Sequence, residues 1–307
     1  MNKLIILTGP TAVGKSKLSI ELAKRIGGEI ISADSMQVYK KMNIGTDKIM
    51  PSEMGGVTHH MIDILEPDQD FNVYVFKKMV NDIIPEIYKR GHIPIIVGGT
   101  GFYIQAVLYD IDFTDTDEDN SIRLELEKRA MEEGGAVLHE ELNKVDPESA
   151  QAIHENNIKR VIRALEYYKM TGNKISEHNI EEHEKKSKYD FRYFVLTDDR
   201  KVLYERIEKR IDQMIKKGLV EEVKALYDSK IPRNATSMQG IGYRELYGYF
   251  DGEYDLERAI YLIKLNTRHF AKRQLTWFRR ERDVSWVDKS QFKRDDNLVL
   301  QELLERI

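Results

Sequence analysis

The residues with the clearest capacity for chemistry lie near the start of the chain. Residues 9–16 read Gly-Pro-Thr-Ala-Val-Gly-Lys-Ser, a complete G-x-x-x-x-G-K-[ST] phosphate loop. In such a loop, backbone N–H groups cradle a diphosphate, the lysine neutralises it and the hydroxyl binds Mg²⁺. The sequence therefore predicts a phosphate-chain site made of Gly9, Pro10, Thr11, Ala12, Val13, Gly14, Lys15 and Ser16. Ser16 is the predicted metal ligand.

The next predicted strand, residues 29–34, ends in a carboxylate, Asp34. Phosphate-loop NTPases usually hold Mg²⁺ with an aspartate after a run of apolar residues. The best such run here, residues 93–97, ends in glycines instead. Asp34 could accept a proton from a bound nucleophile or help to hold the metal, which suits group transfer better than hydrolysis. A helix N-cap or turn role for Asp34 is the equally weighted alternative.

Two short motifs have both structural and functional explanations. Residues 98–101, Gly-Gly-Thr-Gly, follow the strand predicted over 93–97 and precede a helix. They form either a tight turn or a place where the backbone approaches a substrate, and they lack the spacing of a dinucleotide-binding motif. His59 and His60 could bind a metal, but neighbouring residues of a strand point to opposite faces, so a structural role is favoured.

Arg206 and Arg210 lie one turn apart on a helix predicted over residues 200–217. The planar guanidinium group binds phosphate oxygens bidentately, so the two arginines could close over a diphosphate. Ion pairs with Glu205 or Glu208 are the alternative, and the sequence leaves both open.

Two basic segments could contact a nucleic-acid backbone. Lys159, Arg160 and Arg163 lie at helical spacing in an otherwise acidic region. Residues 264–283 carry seven basic and two acidic side chains, interleaved with aromatic residues such as Trp277. The first segment is either a solvated helix face or a contact for phosphates. In the second, Trp277 and Phe278 are expected in the core, and the basic face could follow a nucleic-acid backbone.

The elements that must position these residues alternate between strand and helix over the first hundred residues. Strands are predicted at residues 4–7, 29–34, 60–65 and 93–97, and helices at 15–25 and 72–90. Such alternation indicates an α/β fold with a parallel sheet flanked by helices. Ligands then bind at the carboxyl ends of the strands, where Gly9, Asp34 and Gly98 fall.

The pattern changes at residue 112. Residues 115–120 form an acidic connector, and residues 121–184 show helical patterns only. Strand character returns at residues 191–196, after which helices are predicted at 200–217, 219–227 and 256–280. We therefore predict a discontinuous phosphate-loop core, residues 1–114 and 191–307, with an all-helical domain inserted at 115–190.

The composition narrows the class of protein. The 307 residues contain no cysteine, which excludes disulfides and cysteine-based zinc sites. No apolar run approaches the roughly 20 residues that span a bilayer, and no signal peptide is evident, so a cytoplasmic protein without a membrane partner is expected. The net charge of −4 argues weakly against nucleic acid, although local charge matters more. A monomer is the default expectation.

Together, these segments resemble the bacterial tRNA dimethylallyltransferases, or isopentenylpyrophosphate:tRNA transferases. The matching segments are GPTAVGKS at 9–16, SADSMQVY at 32–39, MNIGTDK at 42–48, HHMID at 59–63, GGTGFY at 98–103, RVIRALE at 160–166, GIGYRE at 240–245 and TRHFAKRQLTWFR at 267–279. They occur in order, with family-like spacing, and no motif position departs from the pattern. The set is far more specific than a phosphate loop alone.

The resemblance implies transfer of a dimethylallyl group from dimethylallyl diphosphate to the exocyclic N6 amine of adenosine 37 of tRNA, with release of diphosphate. Lys15, Ser16 and Mg²⁺ would stabilise the departing diphosphate, helped by Arg206 and Arg210. Asp34 would accept the proton of the amine, and Thr11 would lie near the reacting centre.

The resemblance also implies how the tRNA anticodon stem-loop is held. Its contacts would be Asp34, Ser35, Met36, Gln37, Thr100, Arg123, Lys159, Arg160, Val161, Ile162 and Arg163. Ser35 and Gln37 would help to read the target base. A base stacked in the anticodon loop must turn out of the stack to be modified. The helical insertion would hold the stem-loop against the core while this happens.

Three other functions remain alternatives on sequence. A small-molecule kinase would share the phosphate loop and the nearby aspartate, and would consume ATP. An adenylate isopentenyltransferase would act on a free nucleotide and would not need the large insertion. A non-enzymatic RNA-binding protein would leave the phosphate loop without a use.

Overall fold

A computed structural model describes residues 2–113 and 121–307 of the chain. The chain divides into two units, one made of Met1–Val107 and Lys188–Ile307 and the other of Leu108–Ser187. The predicted acidic connector at residues 115–120, and with it the predicted boundary at 114/115, lies outside the described residues.

The first unit is built on a six-stranded sheet in which every pairing is parallel. The strands are β1 Lys3–Thr8, β2 Gly28–Ser32, β3 His59–His60, β4 Ile93–Gly98, β5 Asp190–Thr197 and β6 Val284–Asp288. Their order across the sheet is β3-β2-β4-β1-β5-β6. Parallel strands covered on both faces are continuously apolar, and Leu4 to Leu7 of the central β1 are fully buried. The predicted α/β phosphate-loop fold is confirmed.

The helices are α1 Lys15–Ile26, α2 Val73–Lys89, α3 Gly101–Leu108, α4 Ser121–Glu132, α5 Gly135–Val145, α6 Pro147–Ala152, α7 Ile158–Thr171, α8 Ile175–Glu184, α9 Arg200–Lys216, α10 Leu219–Asp228, α11 Tyr243–Phe250, α12 Leu256–Phe278 and α13 Asp296–Glu305. Helix α1 buries Leu18, Leu22 and Ala23 in a core shared with β2 and β4. Among the described residues, no helix combines the length and apolar character that crossing a bilayer requires.

The strand predicted over residues 60–65 is wrong for most of its length. Pairing with β2 stops at His60. The next residues turn, because Met61 and Asp63 have φ angles of 64° and 54°, outside the range of a strand. Leu65 forms only an isolated bridge with Tyr39. Strand β6 has no counterpart among the predicted strands, because its Val-Ser-Trp-Val-Asp sequence is too short to separate from the charged residues before it.

The second unit is helical and has its own apolar core. Helices α4 to α7 contribute Leu126, Leu138, Leu142, Ala150, Val161, Ile162, Ala164 and Leu165 to it. The buried carboxylate of Asp146 joins two of its helices by accepting hydrogen bonds from the backbone N–H and hydroxyl groups of Ser149 and Ser176. The unit therefore contains both the buried apolar residues and the polar contacts that a small helical domain needs.

A buried carboxylate lies at the amino-terminal end of β2, away from the strand ends that carry Asp34. Glu29 accepts hydrogen bonds from Nε and Nη2 of Arg90, both at 2.8 Å. Its oxygens also lie 2.6 Å from Nε2 of His60 and 2.7 Å from Nδ1 of His92. His60 is thus engaged structurally, and no group of three metal-ligating side chains occurs among the residues described.

This cluster predicts a specific pH dependence of stability. The hydrogen bonds from Arg90 hold the pKa of Glu29 down at about 2, against an ordinary value of 4.5. The contribution of ionised Glu29 to the stability of the fold is therefore complete above pH 4.5 and is lost as the pH falls towards 2. We expect Glu29→Gln to lower the free energy of unfolding by about 1–3 kcal/mol at pH 7. In urea titrations, the difference in free energy of unfolding between variant and wild type should narrow as the pH falls from 5 to 2. A difference that does not depend on pH would contradict the role given to Glu29.

Candidate active site

A cavity of about 760 Å³ lies at the carboxyl ends of the strands of the first unit. Its wall brings together most of the residues predicted for the diphosphate and the target base: Thr11, Ala12, Gly14, Lys15, Ser16, Asp34, Ser35, Met36, Gln37, Thr100, Arg206 and Arg210. Gly9, Pro10 and Val13 belong to the same loop but are buried and do not line the cavity. The lining also includes the apolar residues Met214, Leu219, Ile241 and Ile263.

The phosphate loop lies directly against its neighbours. Gly9 has a φ of +144°, and a Cβ there would lie 2.4 Å from the carbonyl oxygen of Leu196 on β5. Only glycine allows this approach. The ammonium group of Lys15 donates to the carbonyl oxygens of Gly9 and Pro10, each at 2.9 Å. Burial, with a smaller contribution from Arg210, lowers the pKa of Lys15 to about 8. A bound polyanion would reverse that shift and favour the charged form.

Asp34 fulfils the turn role and also lines the cavity. Its Oδ1 accepts a hydrogen bond of 2.9 Å from the backbone N–H of Met36, and the residue belongs to the cavity wall. Burial raises the pKa of Asp34, opposed by that hydrogen bond and by the charge of Lys15. A carboxylate whose pKa is raised is a stronger proton acceptor than an exposed one, as a general base requires.

Arg206 and Arg210 do not pair with Glu205 or Glu208. Arg206 Nη1 lies 3.0 Å from Oδ2 of Asp198, whose side chain is fully buried just beyond the end of β5. Arg210 Nη1 lies 3.0 Å from Oδ2 of Asp47.

Arg210 also contacts the phosphate loop directly. Its Nη2 donates to the hydroxyl of Thr11, while its Nε has no hydrogen-bond partner among the described residues. A half-buried guanidinium in the cavity wall beside a phosphate loop suits an anion.

The Gly-Gly-Thr-Gly segment is shaped by the helix that covers it. Gln274 of α12 accepts a hydrogen bond from the backbone N–H of Thr11 at 2.8 Å and donates to the carbonyl oxygen of Gly99 at 3.0 Å. A Cβ on Gly99 would lie 2.0 Å from Nε2 of Gln274. This single buried amide therefore joins the phosphate loop to the end of β4, beside Thr100 in the cavity wall.

The segment after Asp34 is held by its own side chains. Gln37 accepts from the hydroxyl of Ser32 at 3.3 Å and donates to the carbonyl oxygens of Thr46 and Asp47 at 3.2 and 3.3 Å. Its amide thus ties residues 32–37 to the loop that carries Asp47. Ser35 and Met36 line the cavity beside it.

The other residues predicted to contact tRNA belong to the helical unit. Lys159 and Arg160 are exposed at the start of α7. Arg123 and Arg163 both donate to Oε2 of the buried Glu166, at 2.8 and 3.2 Å. Val161 and Ile162 lie in the apolar core of that unit, so their side chains are not available to RNA.

The residues present fit Mg²⁺ held mainly by a phosphate ligand. Ser16 and Asp34 line a hollow of about 60 Å³ next to Lys15. Mg²⁺ commonly takes one or two protein oxygens, several waters and substrate phosphates. One hydroxyl and one carboxylate beside a phosphate loop meet that requirement.

Several residues of the site carry no role in the sequence analysis: Asp47, Asp198, Tyr243, Arg244 and Gln274. Asp198 directly follows β5, and an acidic residue at a strand's carboxyl end is a signal that could have identified it. Gln274 carries no local signal, because the groups that it joins lie 263 and 175 residues away in the chain.

Comparison with known proteins identifies clear relatives. The model of the family described as "IPP transferase" matches residues 37–281, and the model described as "Isopentenyl transferase" matches residues 2–66. The chain is 58% identical to the tRNA dimethylallyltransferase of Lachnoclostridium phytofermentans over 299 residues, which cover 97% of this chain and 96% of the relative. Identity to the enzyme of that name from Carboxydothermus hydrogenoformans is 53%, covering 93% and 92%.

Solved structures give the same result. The tRNA isopentenylpyrophosphate transferase of Bacillus halodurans aligns over the full length of both chains with 45% identity and a TM-score of 0.72. A eukaryotic dimethylallyltransferase, solved in snapshots of its action on tRNA, aligns with 94% of this chain and 74% of its own, with 32% identity and a TM-score of 0.81.

The position of Gln274 yields a test of the site's construction. Gln274→Ala would leave the N–H of Thr11 and the carbonyl of Gly99 without their partner. We expect a loss of about 1–3 kcal/mol in the free energy of unfolding, together with weaker binding of inorganic diphosphate. Urea titration and calorimetry measure the two effects. The exposed Gln301→Ala on α13 is the matched control and should change stability by less than about 0.5 kcal/mol; equal losses in both variants would contradict the bridging role.

Proposed function

The chain belongs to the IPP transferase family, the tRNA dimethylallyltransferases, and its substrate is tRNA; on this premise we propose how the cavity performs the transfer. The donor is dimethylallyl diphosphate, and the acceptor is the N6 amine of adenosine 37 beside the anticodon. The observation that supports this most directly is the composition of the cavity's lining. Phosphate loop, arginines, a carboxylate and an apolar surface all line it.

The two ends of the donor require different surroundings. Lys15, Arg206 and Arg210 supply positive charge for the diphosphate, and the N–H groups of residues 9–16 supply donors. Met214, Leu219, Ile241 and Ile263 provide an apolar surface for the dimethylallyl group. Mg²⁺ would be held by the hydroxyl of Ser16 and the diphosphate oxygens, where it would supply charge stabilisation for the leaving group.

The reaction joins the amine nitrogen to the first carbon of the dimethylallyl group. The bond between that carbon and the diphosphate oxygen breaks, and negative charge grows on the leaving group. Fixed positive charges at Lys15 and Arg210 favour that change. The adenine amine is a poor nucleophile, because its lone pair is delocalised into the ring. Asp34 accepts the proton that the amine loses, for which its raised pKa is suited.

The target adenine must also be able to enter the cavity. An adenine stacked in the anticodon loop must turn out of the stack to reach the cavity. Ser35, Met36, Gln37 and Thr100 would contact it there. The backbone of the stem-loop would be held by Arg123, Lys159, Arg160 and Arg163 of the helical unit. The enzyme would act as a monomer in the cytoplasm.

The family assignment does not favour the alternative functions, a small-molecule kinase or a transferase acting on free nucleotide. Incubation with labelled dimethylallyl diphosphate, tRNA, AMP and ATP tests all of them together. We expect label in tRNA, none in AMP, and no consumption of ATP. Label in AMP instead of tRNA would contradict the proposed acceptor.

The role of Asp34 makes a second prediction. Asp34→Asn keeps an oxygen for the N–H of Met36 but cannot take up the proton, so we expect kcat to fall by about 100- to 10,000-fold. The tRNA dissociation constant should stay within about twofold. Wild-type kcat should decline as the pH falls through the raised pKa of Asp34, and the variant should lose that limb. Exposed Asp82→Asn on α2 is the control, and equal loss of tRNA binding and turnover at Asp34 would argue against a base.

The basic residues at the start of α7 make a third prediction. Replacing Lys159, Arg160 and Arg163 with glutamine should weaken tRNA binding and reduce the dependence of log K on log[salt] by roughly 0.7 to 0.9 for each phosphate that the variant no longer neutralises. Filter binding across a salt series measures the slope. Lys128→Gln with Lys144→Gln, at exposed positions of the same unit, is the control. An unchanged slope in the triple variant would remove this segment from the interface.

A further inference from the structure

A glutamate outside the cavity wall has an unusual set of partners. Glu222, in the first turns of α10, accepts hydrogen bonds from three consecutive backbone N–H groups. Oε2 accepts from Asn43 at 2.9 Å and Ile44 at 2.7 Å, and Oε1 accepts from Gly45 at 3.1 Å. Oε1 also accepts from the hydroxyl of Tyr243 at 2.6 Å. Both oxygens are thus fully used within the protein.

These bonds fix a loop that has no regular structure of its own. Within residues 42–47, the Thr46 hydroxyl donates to the carbonyl oxygen of Met42 at 2.7 Å, and the Asp47 N–H donates to that of Ile44 at 3.1 Å. The carboxylate of Glu222 supplies what the segment lacks, an acceptor for three N–H groups that point the same way. Charge-assisted hydrogen bonds of this kind are about twice as strong as neutral ones.

The fixed loop ends at Asp47, which contacts the candidate diphosphate site. Its Oδ2 lies 3.0 Å from Nη1 of Arg210, and Nη2 of the same guanidinium donates to the hydroxyl of Thr11 in the phosphate loop. A displacement of the loop would carry Asp47 with it and allow the guanidinium to rotate. The contacts therefore run in series from α10 to the phosphate loop.

We propose that Glu222 is a positioning residue for the diphosphate end of the cavity: it fixes residues 42–47 and, through Asp47, the orientation of the Arg210 guanidinium. Tyr243 supports the same carboxylate from α11. Burial and the charge of Glu222 raise the pKa of Tyr243 well above its ordinary range, so its hydroxyl keeps the proton that it donates. The inference rests on the proposed function only in taking diphosphate as the group that Arg210 holds.

Glu222→Gln tests the proposal on the full-length protein. The glutamine amide has only one accepting oxygen. Its NH₂ group would therefore face donors, either the N–H groups of Asn43 and Ile44 or the N–H of Gly45 and the hydroxyl of Tyr243, and would lose those hydrogen bonds. We expect the dissociation constant of inorganic diphosphate with Mg²⁺, measured by calorimetry, to rise roughly tenfold, as would the KM for dimethylallyl diphosphate. The tRNA dissociation constant should stay within about twofold. An unchanged affinity for diphosphate would overturn the proposal.

The control separates positioning from general loss of stability. Glu29→Gln also removes a buried, multiply bonded carboxylate of the same unit, at the opposite ends of the strands. It should leave the affinity for diphosphate at the wild-type value. If Glu29→Gln weakened diphosphate binding as much as Glu222→Gln, the effect would be one of stability and the proposal would fail.

A double-mutant cycle tests the route through Asp47. Glu222 and Asp47 act in series. The dissociation constant of diphosphate for the double variant Glu222→Gln, Asp47→Asn should therefore lie within about twofold of that of the single variant with the lower affinity. A dissociation constant raised by the product of the two single-variant fold-changes would overturn the route. Should Glu222→Gln fail to fold, Tyr243→Phe removes only one hydrogen bond of the set. A rise of about threefold in the diphosphate dissociation constant would then support the proposal, and an unchanged value would overturn it.

The two proposals fail in different ways. A wild-type protein that binds diphosphate but does not prenylate tRNA would contradict the proposed function and leave the calorimetric test of Glu222 intact. A wild-type protein that prenylates tRNA, with a Glu222→Gln variant that binds diphosphate normally, would contradict the positioning role alone.

Discussion

The site depends on the fixed shape of one short loop, residues 9–16. A loop of this kind has few internal hydrogen bonds, so its shape must come from outside. Leu196 limits it on one side through close approach to Gly9, and Gln274 binds the N–H of Thr11 on another. Behind it, the buried ammonium group of Lys289 donates to the carbonyl of Val13 at 3.3 Å. The loop is shaped by residues from distant parts of the chain, before any ligand contributes.

The two arginines of helix α9 in the cavity wall each have a carboxylate partner. Arg206 is balanced by the buried Asp198, which also binds Arg294 at 3.0 Å, and Arg210 is balanced by Asp47. Uncompensated cations grouped in a partly buried site would repel one another and destabilise the fold. The carboxylates remove that cost and at the same time fix the direction in which each guanidinium points. Orientation, more than net charge, is what the acidic partners contribute.

Local signals account for what the sequence revealed. The phosphate loop, Asp34 at the end of its strand, and the ends of α1, α2 and β4 depend on neighbouring residues, so their patterns could be read directly. Asp47 contacts Arg210, Glu222 contacts the backbone of Asn43, and Gln274 contacts Thr11, across 163 to 263 residues of chain, and no pattern around them encodes those contacts. The same limit explains Val161 and Ile162, whose positions in a basic motif gave no sign that they pack in a core. Matching motifs identified the family but not the contacts that hold them in place.

The parallel sheet has a consequence for the way the chain reaches its native state. Central β1 pairs on one side with β5, so that Lys3 opposes Asp190, and the helical unit is synthesised between the two. The ribosome must therefore deliver the entire insertion before the first strand can acquire its second neighbour. Contacts so distant in sequence form slowly. An emerging chain would hold its apolar first strand with at most one neighbour until β5 has been made, a stage at which chaperones would find it exposed.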